Sequence, residues 1–306
     1  MKGDPRFPVF DTESAFAFYE ASRQRLPQAR FPVQAKHAAS LIDIADHFDC
    51  FVFDAFGVLN VGDTPIMGSV EAVSRLRALG KQLFVVTNGA SLPADRARAK
   101  FRRFGFDFSI DEIYSSRMPA EMALVARNFA PWGVMAPEGF VASQLAVPCF
   151  ALGDDRLDYD AAQAFLLLST LDWSATRQGL LEDSLSKKPR PVIVANPDVV
   201  APHEHGLSTE PGYLAHRLVA EFGIPVEFHG KPFPSVFDLV KTAVRPGTDP
   251  RRICMIGDTL HTDVLGGAQA GWSSVLVSDH GLFRGQDTAR FIVQSGIVPD
   301  WIIPSI

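Results

Sequence analysis

The chain has 306 residues, 47% hydrophobic and 21% charged, with a net charge of −6. That length supports a large core and two domains, and the acidic balance excludes a general affinity for nucleic acid or anionic membrane. No apolar stretch approaches the ~20 residues that span a bilayer.

The N-terminus, Met1-Lys2-Gly3-Asp4-Pro5, lacks the apolar core of a signal peptide. Cys50, Cys149 and Cys254 have no metal-ligand spacing and cannot all pair. Buried thiols in a reducing cytoplasm are the expectation. Residues 13–26 predict an N-terminal helix. Residues 36–47 predict a second, with Leu41, Ile42, Ile44 and Ala45 on a buried stripe.

The run Phe51-Val52-Phe53 ends in Asp54, followed by Ala55, Phe56 and Gly57. Continuous rather than alternating, it predicts a buried parallel strand. A carboxylate at the end of such a strand is where open α/β sheets place chemistry. A surface Asp that merely ends a strand fits these residues equally well. After a turn through Asn60, Gly62, Asp63 and Pro65, Ser69 starts a helix that Gly80 stops. Its Val70, Val73, Leu76 and Leu79 are expected to face the sheet. A third run, Leu83 to Val86, ends in Thr87-Asn88-Gly89, and Ser91 with Pro93 opens the next helix. Lys100, Arg102 and Arg103 suit the C-terminus of that helix and read as structural rather than phosphate-binding.

A strand near Ile113-Tyr114-Ser115 closes the first half of a doubly wound sheet. From 119 to 225 apolar runs alternate with polar, Pro-containing and acidic stretches, so this block reads as an inserted second domain. Within it, the acidic segment 153–160 lacks the glycine and terminal Glu of a calcium loop and reads as an exposed connection. His203-Glu204-His205 lacks a third metal ligand nearby. Beyond the block, Gly230-Lys231-Pro232 precedes a helix. Ile253-Cys254-Met255-Ile256-Gly257 then ends in Asp258, followed by Thr259, Asp263, Gly266 and Gly267. No Gly-x-Gly-x-x-Gly or Walker-type loop is present, so no nucleotide cofactor is implied.

Strand-Asp54, strand-Thr87, Lys231 and strand-Gly257-Asp258, in that order, resemble the four motifs of the haloacid dehalogenase superfamily. A cap inserted after the Thr motif resembles its subclass IIA, the nitrophenyl-phosphatase-like and nucleotide-phosphatase-like proteins. Ala195-Asn196-Pro197-Asp198 resembles the cap loop of that group, and the segment from Pro299 to Ser305 its C-terminal ending. The resemblance implies an α/β fold, a doubly wound Rossmann-like parallel sheet with an inserted α/β cap. The expected division is an N-terminal extension at 1–36, a core at 37–118 and 226–306, and a cap at 119–225.

The same resemblance implies a Mg²⁺-dependent phosphohydrolase acting on a small phosphorylated metabolite. Asp54 is then the nucleophile, with Mg²⁺ held by Asp54, the Phe56 carbonyl and Asp258. Thr87 and the amides of Asn88 and Gly89 would bind the phosphoryl group, and Lys231 would neutralise its charge. Asp263 supports Lys231 or the metal, Phe56 borders the substrate, and Asn196 and Asp198 join the substrate site from the cap. A cap-mediated homodimer rests on the resemblance alone.

One position departs from the pattern. Phosphatases of the superfamily carry a second Asp two residues after the nucleophile, and here that position is Phe56. General acid–base help is typically worth ~10²–10⁴ in rate, and phenylalanine has no proton to give. Three readings follow. The first is a phosphohydrolase that uses a good leaving group or another acid, such as Asp198 or the substrate itself. The second is a dehalogenase-like hydrolase, and the third a non-catalytic protein that binds a phosphorylated ligand. Asp258 and the cap position favour the first over the second.

Overall fold

The computed structural model of the protein describes residues 6–127 and 129–306. Residues 1–5, expected to lack a signal core, lie outside them. Seven parallel strands form the larger sheet in the order Lys36–His37, Trp301–Ile303, Ser273–Val277, Ile253–Gly257, Cys50–Phe53, Gln82–Thr87 and Ile113–Ser115. The continuous apolar runs have a direct cause, because both faces of this sheet are covered. Phe51, Phe53, Leu83 and Val85 pack with Val73, Leu76 and Phe101 on one face. Cys50, Val52, Phe84 and Val86 pack with Val236, Phe237 and Val240 on the other.

The second sheet has five parallel strands, ordered Val226–Phe228, Val192–Val194, Ala164–Leu167, Trp132–Met135 and Cys149–Ala151. An antiparallel hairpin, Val200–His203 with Gly206–Thr209, follows its central strands. The cap sheet therefore runs to Phe228, three residues past the joint expected at 225. Among the described residues no helix is long and apolar enough to cross a membrane.

Several local expectations need correction. The helix expected over 36–47 does not form. Lys36–His37 instead adds an edge strand beside Trp301–Ile303, and only a 3₁₀ segment, Ile42–His47, remains. Leu41, Ile44 and Ala45 are still buried there, so the stripe packs without a full helix. The N-terminal helix, Thr12–Ala21, starts where Asp11 caps it through Ser14 N at 2.8 Å and ends sooner than expected, at Ser22, where a 3₁₀ turn Arg23–Arg25 takes over. The helix Ser69–Ala78 buries Ala72, Val73 and Leu76 rather than Leu79, which is 55% exposed. The acidic segment 153–160 is not a mere connection. Asp155 caps the helix Arg156–Ala161, whose Tyr159 is fully buried.

Candidate active site

Asp54 and Asp258 follow adjacent parallel strands that pair Phe53 with Ile256, and the ladder continues through Asp54 N to Ile256 O at 2.8 Å. Two strand ends in register bring their carboxylates to one crevice at the carboxyl edge of the sheet, the place where open α/β sheets bind ligands. Thr87 ends the neighbouring strand. That crevice is lined by Asp54, Phe56, Thr87, Asp198, Asp258 and Thr259 among others.

Lys231 enters from just before the helix Pro234–Ala243. Its ammonium is fully buried, contacts Asp54 and lies 2.7 Å from Asp263. Burial works against its charge, but Asp263, Asp54 and Asp198 together hold its pKa above the ordinary lysine value. Asp263 sits on a π-helical turn, Leu260–Val264, and also accepts from Thr259 N at 3.1 Å. Such turns are frequent where a side chain must be aimed into a site.

The carboxylates outnumber the cation. Burial, with Asp263 and Asp258 close by, pushes Asp54 up to about 8 against the pull of Lys231. Asp258 rises to about 7 through burial and its proximity to Asp263, although Leu282 N at 2.8 Å and the Thr259 hydroxyl at 2.9 Å donate to it. Oxygens of Asp54, Asp258 and Asp263 lie within 4.8 Å of one another. Glycines crowd Asp258: a Cβ at Gly57 would stand 2.7 Å from its carboxylate, and one at Gly281 would stand 1.9 Å away. Hard oxygen donors with surplus negative charge are what a small dication requires, so this donor set fits Mg²⁺.

The cap closes the crevice through Asp198, which is half-buried and accepts from Asn88 Nδ2 at 2.8 Å. Burial first, then the charge of Asp54, hold its carboxyl well above the ordinary range despite Lys231. Asn88 also donates to Lys231 O at 2.9 Å and accepts from Lys231 N at 2.8 Å. Its side chain thus ties three segments together. Asn196 is similarly committed, donating to Glu210 at 2.9 Å and accepting from Asp198 N at 3.1 Å. Gly89 N already donates to the Thr87 hydroxyl at 3.1 Å.

A cavity of about 810 Å³ opens beside Phe56 and Asp198. Phe56, Gly89, Asn196 and Asp198, expected at the substrate site, line it together with residues that no motif marked. Glu210, raised by burial to about 7, faces it from the cap with Thr170 and Ser208. Arg96, Lys100 and Arg103 face it from the helix Ala94–Arg103. The Lys100 ammonium sits 5.0 Å over the Phe56 ring. A basic stripe spaced i, i+4, i+7 was visible in the sequence, but the roof above it was not. His203 and Glu204 turn the cap hairpin toward the core, where Glu204 accepts from Asp63 N at 2.9 Å.

Comparison with known proteins places these residues in context. A family model for haloacid dehalogenase-like hydrolases matches residues 51–155, and a second model of the same type matches 228–306. A D-glycerol 3-phosphate phosphatase of Mycobacterium tuberculosis is 31% identical over 237 residues, covering 76% of this chain and 64% of that protein. The chain therefore spans just under two thirds of that relative. The structure of a possible sugar phosphatase of the superfamily from Cytophaga hutchinsonii aligns with a TM-score of 0.77 at 25% identity, covering 89% of this chain and 98% of that one. A glycerol phosphate phosphatase from Mycobacterium tuberculosis, solved in complex with magnesium, shares the fold with a TM-score of 0.64 at 24% identity, covering 85% and 75%.

Proposed function

The chain belongs to the haloacid dehalogenase superfamily, and from that premise we propose that it is a Mg²⁺-dependent phosphohydrolase of small phosphorylated metabolites. The carrying observation is the contact of Asp54 with Lys231, with Asp258 at the end of the adjoining strand. Asp54 attacks phosphorus and displaces the alcohol oxygen, giving an aspartyl-phosphate. Water then cleaves that intermediate to release phosphate and restore Asp54. Lys231, held by Asp263, stabilises charge on the phosphoryl oxygens in transit. Thr87 supplies a hydroxyl donor, with the Asn88 amide beside it. Asp54, the Phe56 carbonyl and Asp258 would hold Mg²⁺, which orients the phosphoryl group and offsets the repulsion between two anions.

Phe56 cannot protonate the leaving oxygen, so the proton is assigned to Asp198. Burial and the charge of Asp54 raise its pKa and so favour the protonated carboxyl, and it borders the same crevice. The division into an N-terminal extension at 1–36, a core at 37–118 and 226–306 and a cap at 119–225 belongs to this reading. So do the homodimer expected by resemblance and a cytoplasmic setting, which the three free cysteines support. The test is hydrolysis of p-nitrophenyl phosphate with and without Mg²⁺, in the wild type and in Asp54→Asn. Activity that needs Mg²⁺ and vanishes in Asp54→Asn is expected. Turnover of 2-haloacids without Mg²⁺, or phosphate binding without any turnover, would overturn it.

A further inference from the structure

We propose that the cavity beside Phe56 binds a second anionic group of the substrate, so that preferred substrates are phosphomonoesters bearing a further carboxylate or phosphate. The inference rests on the phosphohydrolase reading and names the substrate class of that site. Arg96, Lys100 and Arg103 share one face of their helix and line the cavity together. One acid of the lining pairs with them. Asp63 lies 3.1 Å from Lys100 and 4.0 Å from Arg103, and Arg96 has no ion-pair or hydrogen-bond partner among the described residues. The two other acids of the lining are engaged elsewhere, Asp198 by Asn88 and Glu210 by Asn196 and Ser208. Lys231, the cation of the reaction site, is already shared between Asp54 and Asp263. The cationic wall thus lines a cavity that adjoins the reaction crevice, with Phe56 and Asp198 common to both.

The test compares p-nitrophenyl phosphate, a sugar bisphosphate and a phosphorylated carboxylic acid, in the wild type, Arg96→Ala and Lys100→Met. The variants are expected to lower selectivity for the doubly anionic substrates over p-nitrophenyl phosphate about 10-fold, mainly through KM. A larger loss on the bisphosphate than on the carboxylic acid would identify phosphate as the second anion, and the reverse a carboxylate. Unchanged selectivity in both variants would overturn the inference. Absence of any phosphate ester hydrolysis in the wild type would instead overturn the phosphohydrolase reading.

A different set of contacts carries a second inference. The helix Thr12–Ala21 lies outside the residues matched by the family models, yet it touches the supports of three site carboxylates. The Tyr19 hydroxyl accepts from Val199 N at 3.0 Å, one residue after Asp198. The Tyr19 ring stacks on His261, 5.0 Å away at 8°, two residues before Asp263. Thr12 donates at 2.8 Å to the carbonyl of Leu282, the residue whose N–H donates to Asp258. We infer that Tyr19 is a positioning residue that holds the cap loop and Asp198 over the core.

Tyr19→Phe keeps the stacking ring and leaves a buried N–H without its acceptor. It is expected to lower kcat for alkyl phosphates about 10-fold more than for p-nitrophenyl phosphate, because only the poor leaving group needs the proton. Merely structural damage would lower both alike and overturn the inference. In an Asp198→Asn background the same substitution should leave that ratio unchanged, and a further change there would also overturn it. Should Tyr19→Phe fold poorly, Glu20→Gln gives the same ratio test, because the Glu20 carboxylate contacts the His261 ring on which Tyr19 stacks. Asp198→Asn moving the ratio while both of these variants leave it fixed would refute only this inference.

Discussion

Asp198→Asn isolates the proton that Phe56 cannot supply. The substitution is isosteric, and the amide oxygen can still accept from Asn88 Nδ2, which stands 2.8 Å from Asp198 Oδ1. The cap loop should therefore stay in place while the transferable proton is lost. General acid help of ~10²–10⁴ corresponds to about 2.7–5.4 kcal/mol of barrier. That loss should fall on glycerol phosphate and other alkyl esters. p-Nitrophenyl phosphate, whose leaving group carries its own charge, should lose less than about 5-fold. Because a carboxyl held above its ordinary pKa is costly to bury ionised, the variant should melt no lower than the wild type. The assay is steady-state release of phosphate from both esters at saturating Mg²⁺, alongside thermal melting. Equal losses on both esters, with melting unchanged, would refute the assignment of the proton to Asp198.

Phe56→Asp should raise alkyl phosphate turnover by up to ~10²-fold, read by the same phosphate assay, with the gain limited by a pocket shaped for a ring under Lys100. Mg²⁺ should stabilise the wild type by about 2.7 kcal/mol at a hundredfold excess over Kd, seen as a rise in Tm. Asp258→Ala should remove that rise, and a rise that persists would place the ion elsewhere. His216 provides a pH test away from the site. Burial, then Arg25, lowers its pKa from 6.5 to about 3, so the folded protein keeps it neutral while the unfolded chain takes a proton below pH 6.5. Its contribution is present above that pH and is lost as pH falls toward 3. At pH 4.5 the wild type should have lost about 2.7 kcal/mol from this group. Denaturant melts of wild type and His216→Gln at pH 7.5 and 4.5 should show the variant losing less by that amount, and parallel losses would refute it.

Much of the site was legible because its chemistry sits at strand ends. A short apolar run can be read as a buried strand whatever it pairs with, so Asp54, Thr87 and Asp258 could be placed from local pattern alone. Their convergence was not local. It depends on Ile253–Gly257 and Cys50–Phe53 being neighbours in register across two hundred residues, which no window of sequence contains. The edge strand Lys36–His37 shows the same limit from the other side. Its pattern favours a helix, but an open position beside Trp301–Ile303 takes its backbone hydrogen bonds into the sheet. Lys100, Arg102 and Arg103 of the helix Ala94–Arg103 likewise read as dipole stabilisation, and Arg96 carried no reading, since spacing cannot reveal a cap above Arg96, Lys100 and Arg103. Tyr19 carried no motif at all. A tyrosine on an apolar helix face is ordinary core, and only the chain's closure brings its hydroxyl to Val199 and its ring to His261. Sequence determines which residues can do chemistry, because residue type and strand period are local. Tertiary structure decides which of them meet, because contact between distant segments is set by the packing of the whole chain.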